Sequence, residues 1–384
     1  MQLRDRVELA VRRWHAFELL HGGDPVVDYD CAPTTQDIDP YPDRFAALDE
    51  LLEFRLQAEE GTALATSLEA HTAYLSALLG QQSSFQDYIM HTQGCGAIGW
   101  SSEYVEYRGW LARESLAGIG VEWNSYTRTR LRELEGEVPV GDVGAIIREY
   151  ADKFEPSIRA LTGAAAEFEL NIENVETDAY WSYWLDGAGR NARLRINLAN
   201  ASFTTVEAYR FALHEVLGHA LQYANLAHTA EKTAVDWPRL LAIHCPQQVL
   251  FEGLGQVLPL VASPDDELVR ARTKLDHYLQ LVRAEFHVMV NQGMSIIDCR
   301  DYAINRVPFW PPKSVASDLT DRSRNPQLRT YLWAYPAGID WFVRLHETAG
   351  TLLAEVLRDA YQRPLSPGEL QQRWPSGPTI GGDA

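Results

Sequence analysis

Within TTVEAYRFALHEVLGHALQYANL, Thr204 to Leu226, the residues whose types can do chemistry are His214, Glu215 and His219. Two neutral imidazoles can hold a divalent metal ion. A carboxylate beside them, outside the ligand set, can take a proton from a water whose pKa the ion lowers to about 7. In the spacing HExxH the two histidines are four apart and share one helix face. Here the spacing is HExxxH. Five residues advance a regular α-helix by about 500°, leaving the two rings roughly 140° apart. One extra residue absorbed as a π-bulge would bring them back together. The spacing therefore predicts a local helix defect between His214 and His219, with Gly218 expected to ease it.

Such a site needs a third protein ligand. In QQVLFEGLGQVLPL, Glu252 stands in an apolar run with the look of a buried helix. A carboxylate there is costly to bury without a partner, and a metal ion would serve as one. The 33 positions between His219 and Glu252 are enough for a turn and a second helix running back past the first. The alternative is that Glu215 and the histidines simply pair with one another or with polar neighbours.

The elements that must position these groups can be read from periodicity. Residues 1 to about 160 are expected to be almost wholly helical, with helices over 1–20 and 44–80, through SSEYVEYRGWLARESLAGIG, and through VGDVGAIIREYADKFEPSIRALTG. HGGDPVVDYDCAPTTQDIDPYPD is expected as a loop. The texture then changes. EFELNIE alternates Phe168, Leu170 and Ile172 with polar residues, and Leu194, Ile196 and Leu198 alternate with Arg193, Arg195 and Asn197 after a turn at Asp186 to Gly189. Period two predicts a small antiparallel sheet next to the histidine helix. Thr204 and Glu207 form a capping box that starts that helix. Further helices are expected over about 238–260 and 265–291 and up to about 360, with RVPFWPPKSV and TDRSRNPQ as loops. The fold class is thus mostly α, a helical bundle with a small antiparallel β-sheet. It divides into a helical half, 1–160, and a catalytic half, 161–375, with a frayed tail at 376–384.

The 384 residues carry 34 Lys and Arg against 53 Asp and Glu, a formal charge of −19. That charge disfavours nucleic acid and anionic membrane surfaces as partners. No apolar run is long enough to span a bilayer. The first residues lack the apolar core of a secretory signal. Cys31, Cys95, Cys245 and Cys299 are far apart, with no CxxC pair, which suits a reducing, cytoplasmic address.

HEVLGHALQ followed by FEGLGQ resembles the gluzincin metallopeptidases. The HExxxH variant occurs in the dipeptidyl peptidase III and tubulin tyrosine carboxypeptidase families. The longer pattern is similar to a bacterial gluzincin family whose segments read approximately HExxPGHxLQ, EGWA and a late YxxG. That resemblance covers roughly residues 165 to 375. It implies a zincin fold in which Zn2+ is held by His214, His219 and Glu252, with Glu215 as general base. Its late motif falls on Tyr335 and Gly338 in RTYLWAYPAGIDWFVRL, and it implies a tyrosine or histidine that steadies an oxyanion. This chain departs from the pattern by lacking the proline, by EGLG for EGWA, and by Tyr331 where glutamine is usual.

These readings converge on a zinc-dependent hydrolase acting on a peptide or a small amide. Two histidines and a carboxylate also suit mononuclear non-haem iron, and a gluzincin-like scaffold that only binds a partner is a third option. Tyr335 sits in an aromatic cluster with Tyr331, Trp333, Trp341 and Phe342 that packing alone would explain. His346 is a second oxyanion-donor candidate. His244, Arg306, Arg329 and Arg344 are candidates for a substrate carboxylate, and the strand bearing Arg193 and Arg195 for an edge that pairs with a peptide.

Overall fold

The computed structural model describes residues 1–178 and 181–383. It is mostly helical with a small sheet, as the periodicities imply. Helices cover Leu3–Leu20, Arg44–Gln57, Ala63–Leu78, Ser102–Gly118 and Val143–Thr162. One large apolar core draws residues from Tyr29 to Ile380, and a smaller one packs the first helices together through Trp14, Leu51, Phe54 and Leu68.

The sheet has five strands: β1 (Tyr29–Asp30), β2 (Glu169–Val175), β3 (Tyr183–Ala188), β4 (Asn191–Asn197) and β5 (Leu240–Leu241). Their order is β2-β4-β3-β1-β5. It is mixed rather than antiparallel. The β3–β4 hairpin is antiparallel, but β2 joins the far side of β4 and runs parallel to it, from Glu169 opposite Asn191 to Val175 opposite Asn197. The hairpin turn follows Ala188, later than expected, and Asp186 belongs to β3. Ala179 and Tyr180, at the start of the stretch read as β-forming, lie outside the described residues.

β1 was not anticipated. Its two residues, inside the segment expected as a loop, pair in parallel with Gly187 and Ala188 of β3 and antiparallel with Leu240 and Leu241 of β5. The same pairing shortens the helix expected over 238–260. Leu240 and Leu241 are buried strand residues, and the helix begins only at Gln247, after Pro246. Of the expected loops, RVPFWPPKSV is non-helical over 307–311 before entering the helix Pro312–Ser323, whereas TDRSRNPQ is mostly helical, because Asn325 and Pro326 start the helix Pro326–Thr348 directly after that one. The tail does not fray as far as residue 383. Ile380 is buried, and Gly99 N–H donates to Gly381 C=O at 3.2 Å.

Candidate metal centre

The histidine helix starts where expected. Thr204 accepts from Glu207 N–H while the Glu207 carboxylate accepts from Thr204 N–H, closing a capping box. Regular helix over Thr205–Phe211 gives way to a π-helical segment, Ala212–Ala220, and resumes over Leu221–Lys232. In an i→i+5 ladder, residues five apart face the same way. His214 Nε2 and His219 Nε2 accordingly stand 3.1 Å apart.

Glu252 is on the helix Gln247–Ala262, with its carboxylate buried. Its Oε2 is 3.2 Å from His214 Nε2 and its Oε1 is 3.9 Å from His219 Nε2. Four ligands at about 2.0–2.1 Å around a tetrahedral zinc are separated by roughly 3.3 Å. The 3.1 Å between the imidazole nitrogens and the 3.2 Å from His214 to Glu252 Oε2 are close to that spacing, while the nearest Glu252 oxygen to His219, Oε1, is 3.9 Å away. Two polar atoms in the group lack partners: Glu252 Oε2, whose approach to His214 lacks hydrogen-bond geometry, and His219 Nδ1. A buried carboxylate oxygen without a donor, beside the His214 imidazole, is what a cation would satisfy.

Glycine decides how closely the helices approach. A Cβ on Gly218 would lie 3.1 Å from Gly255 Cα, and one on Gly255 would lie 2.7 Å from His214 Nδ1. Gly218 keeps an ordinary negative φ, and a Cβ there would also lie 3.0 Å from Leu213 C=O, five residues back in the π segment, so its missing side chain eases that segment as expected. It makes room for the second helix. Gly253 meets Gly338 of the helix Pro326–Thr348 backbone to backbone, and a Cβ on Gly338 would lie 2.3 Å from Val249 C=O. The glycines of EGLG and YPAG thus hold the Glu252 and tyrosine helices together. Alanine at 338 should gain about 1 kcal/mol of helix propensity. The overlap with backbone should cost more than it gains, for a net loss of about 1–3 kcal/mol. Urea unfolding of Gly338→Ala checks the sign, and a stabilised variant would refute the close-packing account.

The third helix brings Tyr331 and Tyr335 to the site. Tyr331 O–H donates to Glu252 Oε1, and the two phenolic oxygens are 2.8 Å apart. Because the Tyr331 proton goes to Glu252, the Tyr335 hydroxyl is the donor between them. Burial, then the Glu252 charge, pushes both phenols far up, so both stay protonated donors. Tyr331 thereby orients the Glu252 carboxylate, a role its departure from the usual glutamine did not disclose. Tyr331→Phe should weaken metal binding about 10- to 100-fold, checked by competition with a chelator. An unchanged affinity would remove that role.

Glu215 is buried beside the donor set, its Oε1 3.8 Å from His214 Nε2. Burial pushes its carboxyl up to about 7, with His214 pulling it down and Glu252 pushing it further up. His219 is driven down to about 3, by burial and then by His214, so its imidazole is neutral. Burial also opposes charge on His214, but the adjacent carboxylates outweigh it and raise its pKa. Two cavities meet at Glu215, and Tyr183 and Tyr335 line both. The larger, about 440 Å3, also has Arg128, Arg210 and Gln256 on its walls. The smaller, about 180 Å3, has Asp28, Trp181, Trp184 and Leu328. Tyr183, on β3, and Asp28, just before β1, escaped sequence reasoning. Asp28 had no signal beyond its position in a polar segment.

The other candidates fall elsewhere. His346 lines neither cavity, nor do Arg306, Arg329 and Arg344. Arg306 pairs with Glu106, Arg329 donates to Asn291 at 2.8 Å, and Arg344 lies 3.8 Å from Asp340. Arg193 and Arg195 grip Asp186, and β4, which bears them, lies between β2 and β3 and has no free edge. His244 belongs to a second buried group with His71 and Cys245. There His71 Nδ1 and His244 Nε2 hydrogen-bond directly at 2.8 Å, and Ser67 Oγ meets the other nitrogen of His71 at 3.2 Å. Burial keeps both rings neutral, and they hydrogen-bond to each other, leaving His244 Nδ1 buried without a partner.

No protein-family model matches the chain, and no curated protein does. Solved structures do. A protein of Colwellia psychrerythraea described as a putative lipoprotein superposes with a TM-score of 0.58 at 15% identity, over 85% of this chain and 65% of that one. A similarly described protein of unknown function from Shewanella oneidensis gives 0.50 at 11% identity, over 85% and 70%. The fold is shared. This chain spans just under two thirds of the Colwellia protein's length. Trypanosoma cruzi metallocarboxypeptidase 1 aligns over 98% of this chain and 76% of its own, at 10% identity and a TM-score of only 0.38. Among the described residues, no helix is long and apolar enough to cross a membrane.

Proposed function

We propose that this protein is a metal-dependent hydrolase of amide bonds, with zinc held by His214, His219 and Glu252 and a peptide or small amide as substrate. The observation that carries the reading is the position of Glu215. It stands next to the donor set without belonging to it, and it faces both cavities. A site that only held structure would need no carboxylate there. The resemblance of HEVLGHALQ and FEGLGQ to gluzincins supports the same assignment.

Zinc, when bound, supplies a Lewis acid that polarises a carbonyl and acidifies water. The chain's own groups do the rest. Glu215 takes the proton of the attacking water as the new C–O bond forms, and delivers it to the nitrogen as the C–N bond breaks. A carboxyl raised by burial is suited to hold that proton between the two steps. Tyr335 turns its hydroxyl from Tyr331 towards the oxygen on which charge builds. Tyr335→Phe should lower kcat about 100-fold with metal content unchanged, read from kcat and elemental analysis of the same sample. Full activity would transfer the role to Tyr183, which faces the same space.

The test of the assignment is metal content of the purified protein, wild type and Glu252→Ala, alongside hydrolysis of a peptide and amide panel. One zinc per chain, lost in the variant, with turnover in the wild type, is the expected result. Iron in its place would move the protein to oxygen chemistry, and no metal in either would end the reading. A cytoplasmic address, without nucleic-acid or membrane partners, is part of the proposal. The four free, buried cysteines support a reducing compartment.

A further inference from the structure

Asp28 is fixed by its backbone, whose N–H donates to Leu241 C=O at 2.8 Å where β1 enters the sheet. Its side chain makes no hydrogen bond and no ion pair with any described residue. That carboxylate lines the smaller cavity, between the walls Trp181, Trp184 and Leu328 and the Glu215 and Glu252 carboxylates. Asp28 is half-buried, and desolvation, then the Glu252, Asp186 and Glu215 charges, raise its carboxyl to about 8, so a positively charged ligand group would favour its ionised form through charge-assisted hydrogen bonds. Trp181 and Trp184 line the same cavity, and aromatic rings attract cationic groups.

Size narrows the ligand. A cavity of about 180 Å3 is well below the several hundred that hold drug-sized ligands, so it takes one residue rather than an extended chain. Its aromatic and aliphatic walls suit a large apolar side chain. Glu215, Tyr183 and Tyr335 line both it and the larger cavity. Arg128 on that side is exposed and forms no ion pair with a described residue. A substrate whose scissile amide lies at Glu215 would thus place a single amino-terminal residue on the Asp28 side and everything beyond the amide on the other.

We propose that the smaller cavity is a subsite for an unblocked amino-terminal residue with a large apolar side chain, and that Asp28 binds its ammonium group. The substrate class is then peptides or amides with a free α-amine, and the cleft releases one residue at a time. This rests on the hydrolase reading, which it deepens.

Two readouts separate the two ideas. In the zinc-loaded Glu215→Gln protein, calorimetry should show L-phenylalaninamide binding at least about tenfold tighter than N-acetyl-L-phenylalaninamide, the scale of one charged hydrogen bond. Adding Asp28→Asn should bring that ratio close to one. L-Alaninamide should bind more weakly than the phenylalanine compound. Equal binding of blocked and free compounds, no binding of either, or a ratio unmoved by Asp28→Asn would overturn the subsite. In the wild type, kcat/KM for L-phenylalanine p-nitroanilide against its N-acetyl form should show the same preference and the same collapse in Asp28→Asn. Turnover confined to the acetylated compound would overturn the subsite and keep the hydrolase. Asp28-dependent binding of the amine with no turnover would keep the subsite and remove the hydrolase.

Discussion

Glu215→Gln is expected to lower kcat/KM by roughly 10²- to 10⁴-fold, the span over which a positioned general acid–base works, while one metal ion per chain stays bound. Glutamine matches the shape of the buried side chain, so the packing around the π-helical segment should survive. What is lost is the capacity to take a proton from water and return it to nitrogen. Glu215 is not in the group whose donor atoms cluster, which is His214, His219 and Glu252, and its proposed role is that of a base beside the ion. Turnover and elemental analysis on one preparation decide the matter. Wild-type turnover in the variant would remove the general base, and loss of metal would put Glu215 among the ligands.

Loss of a ligand should act on metal and stability together. An ion bound only by the folded chain adds about 4 kcal/mol when its free concentration is 1,000 times Kd. Chelation of the wild type should therefore lower Tm by several degrees, since a chain of this size shifts by roughly 2–4 °C per kcal/mol or less. In Glu252→Ala and in His219→Ala the ion should be absent and the chelator without effect. The metal-free variants should differ much less from the metal-free wild type. Alanine at 252 removes a buried carboxylate whose Oε2 has no donor, offsetting part of the lost packing. A variant that keeps stoichiometric zinc and the same chelator-induced shift would refute the ligand assignment.

Much of the frame was legible, and for local reasons. HExxxH cannot aim two rings at one point from a regular helix, so the π segment followed from counting residues. Thr204 and Glu207 announced the start of that helix, and a lone Glu in an apolar run announced a buried partner. What was not legible is what distant segments do to each other. Leu240 and Leu241 read as helix because nothing near them shows that Tyr29 and Asp30 pair beside them. The glycines of EGLG and YPAG carried no sign that they touch each other. Tyr331 looked like a departure from a pattern and is instead the donor to Glu252. Asp28 was hidden for the same reason as β1, since a two-residue strand leaves no periodicity to detect.

β1 sits between β3 and β5, so Tyr29 must find Gly187 and Leu241 before the cleft has its Asp28 wall. Closing loops of that length costs entropy before any contact repays it, and long-range pairings slow folding. During synthesis, the strand that emerges among the first residues has no place to dock until residue 241 has been made. The helix with both histidines and the one with Glu252 can assemble from their own neighbourhood, but the aromatic cavity cannot. In a growing chain Leu241 precedes Glu252, so the strand that fixes the Asp28 wall and the last of the three proposed ligands become available almost together.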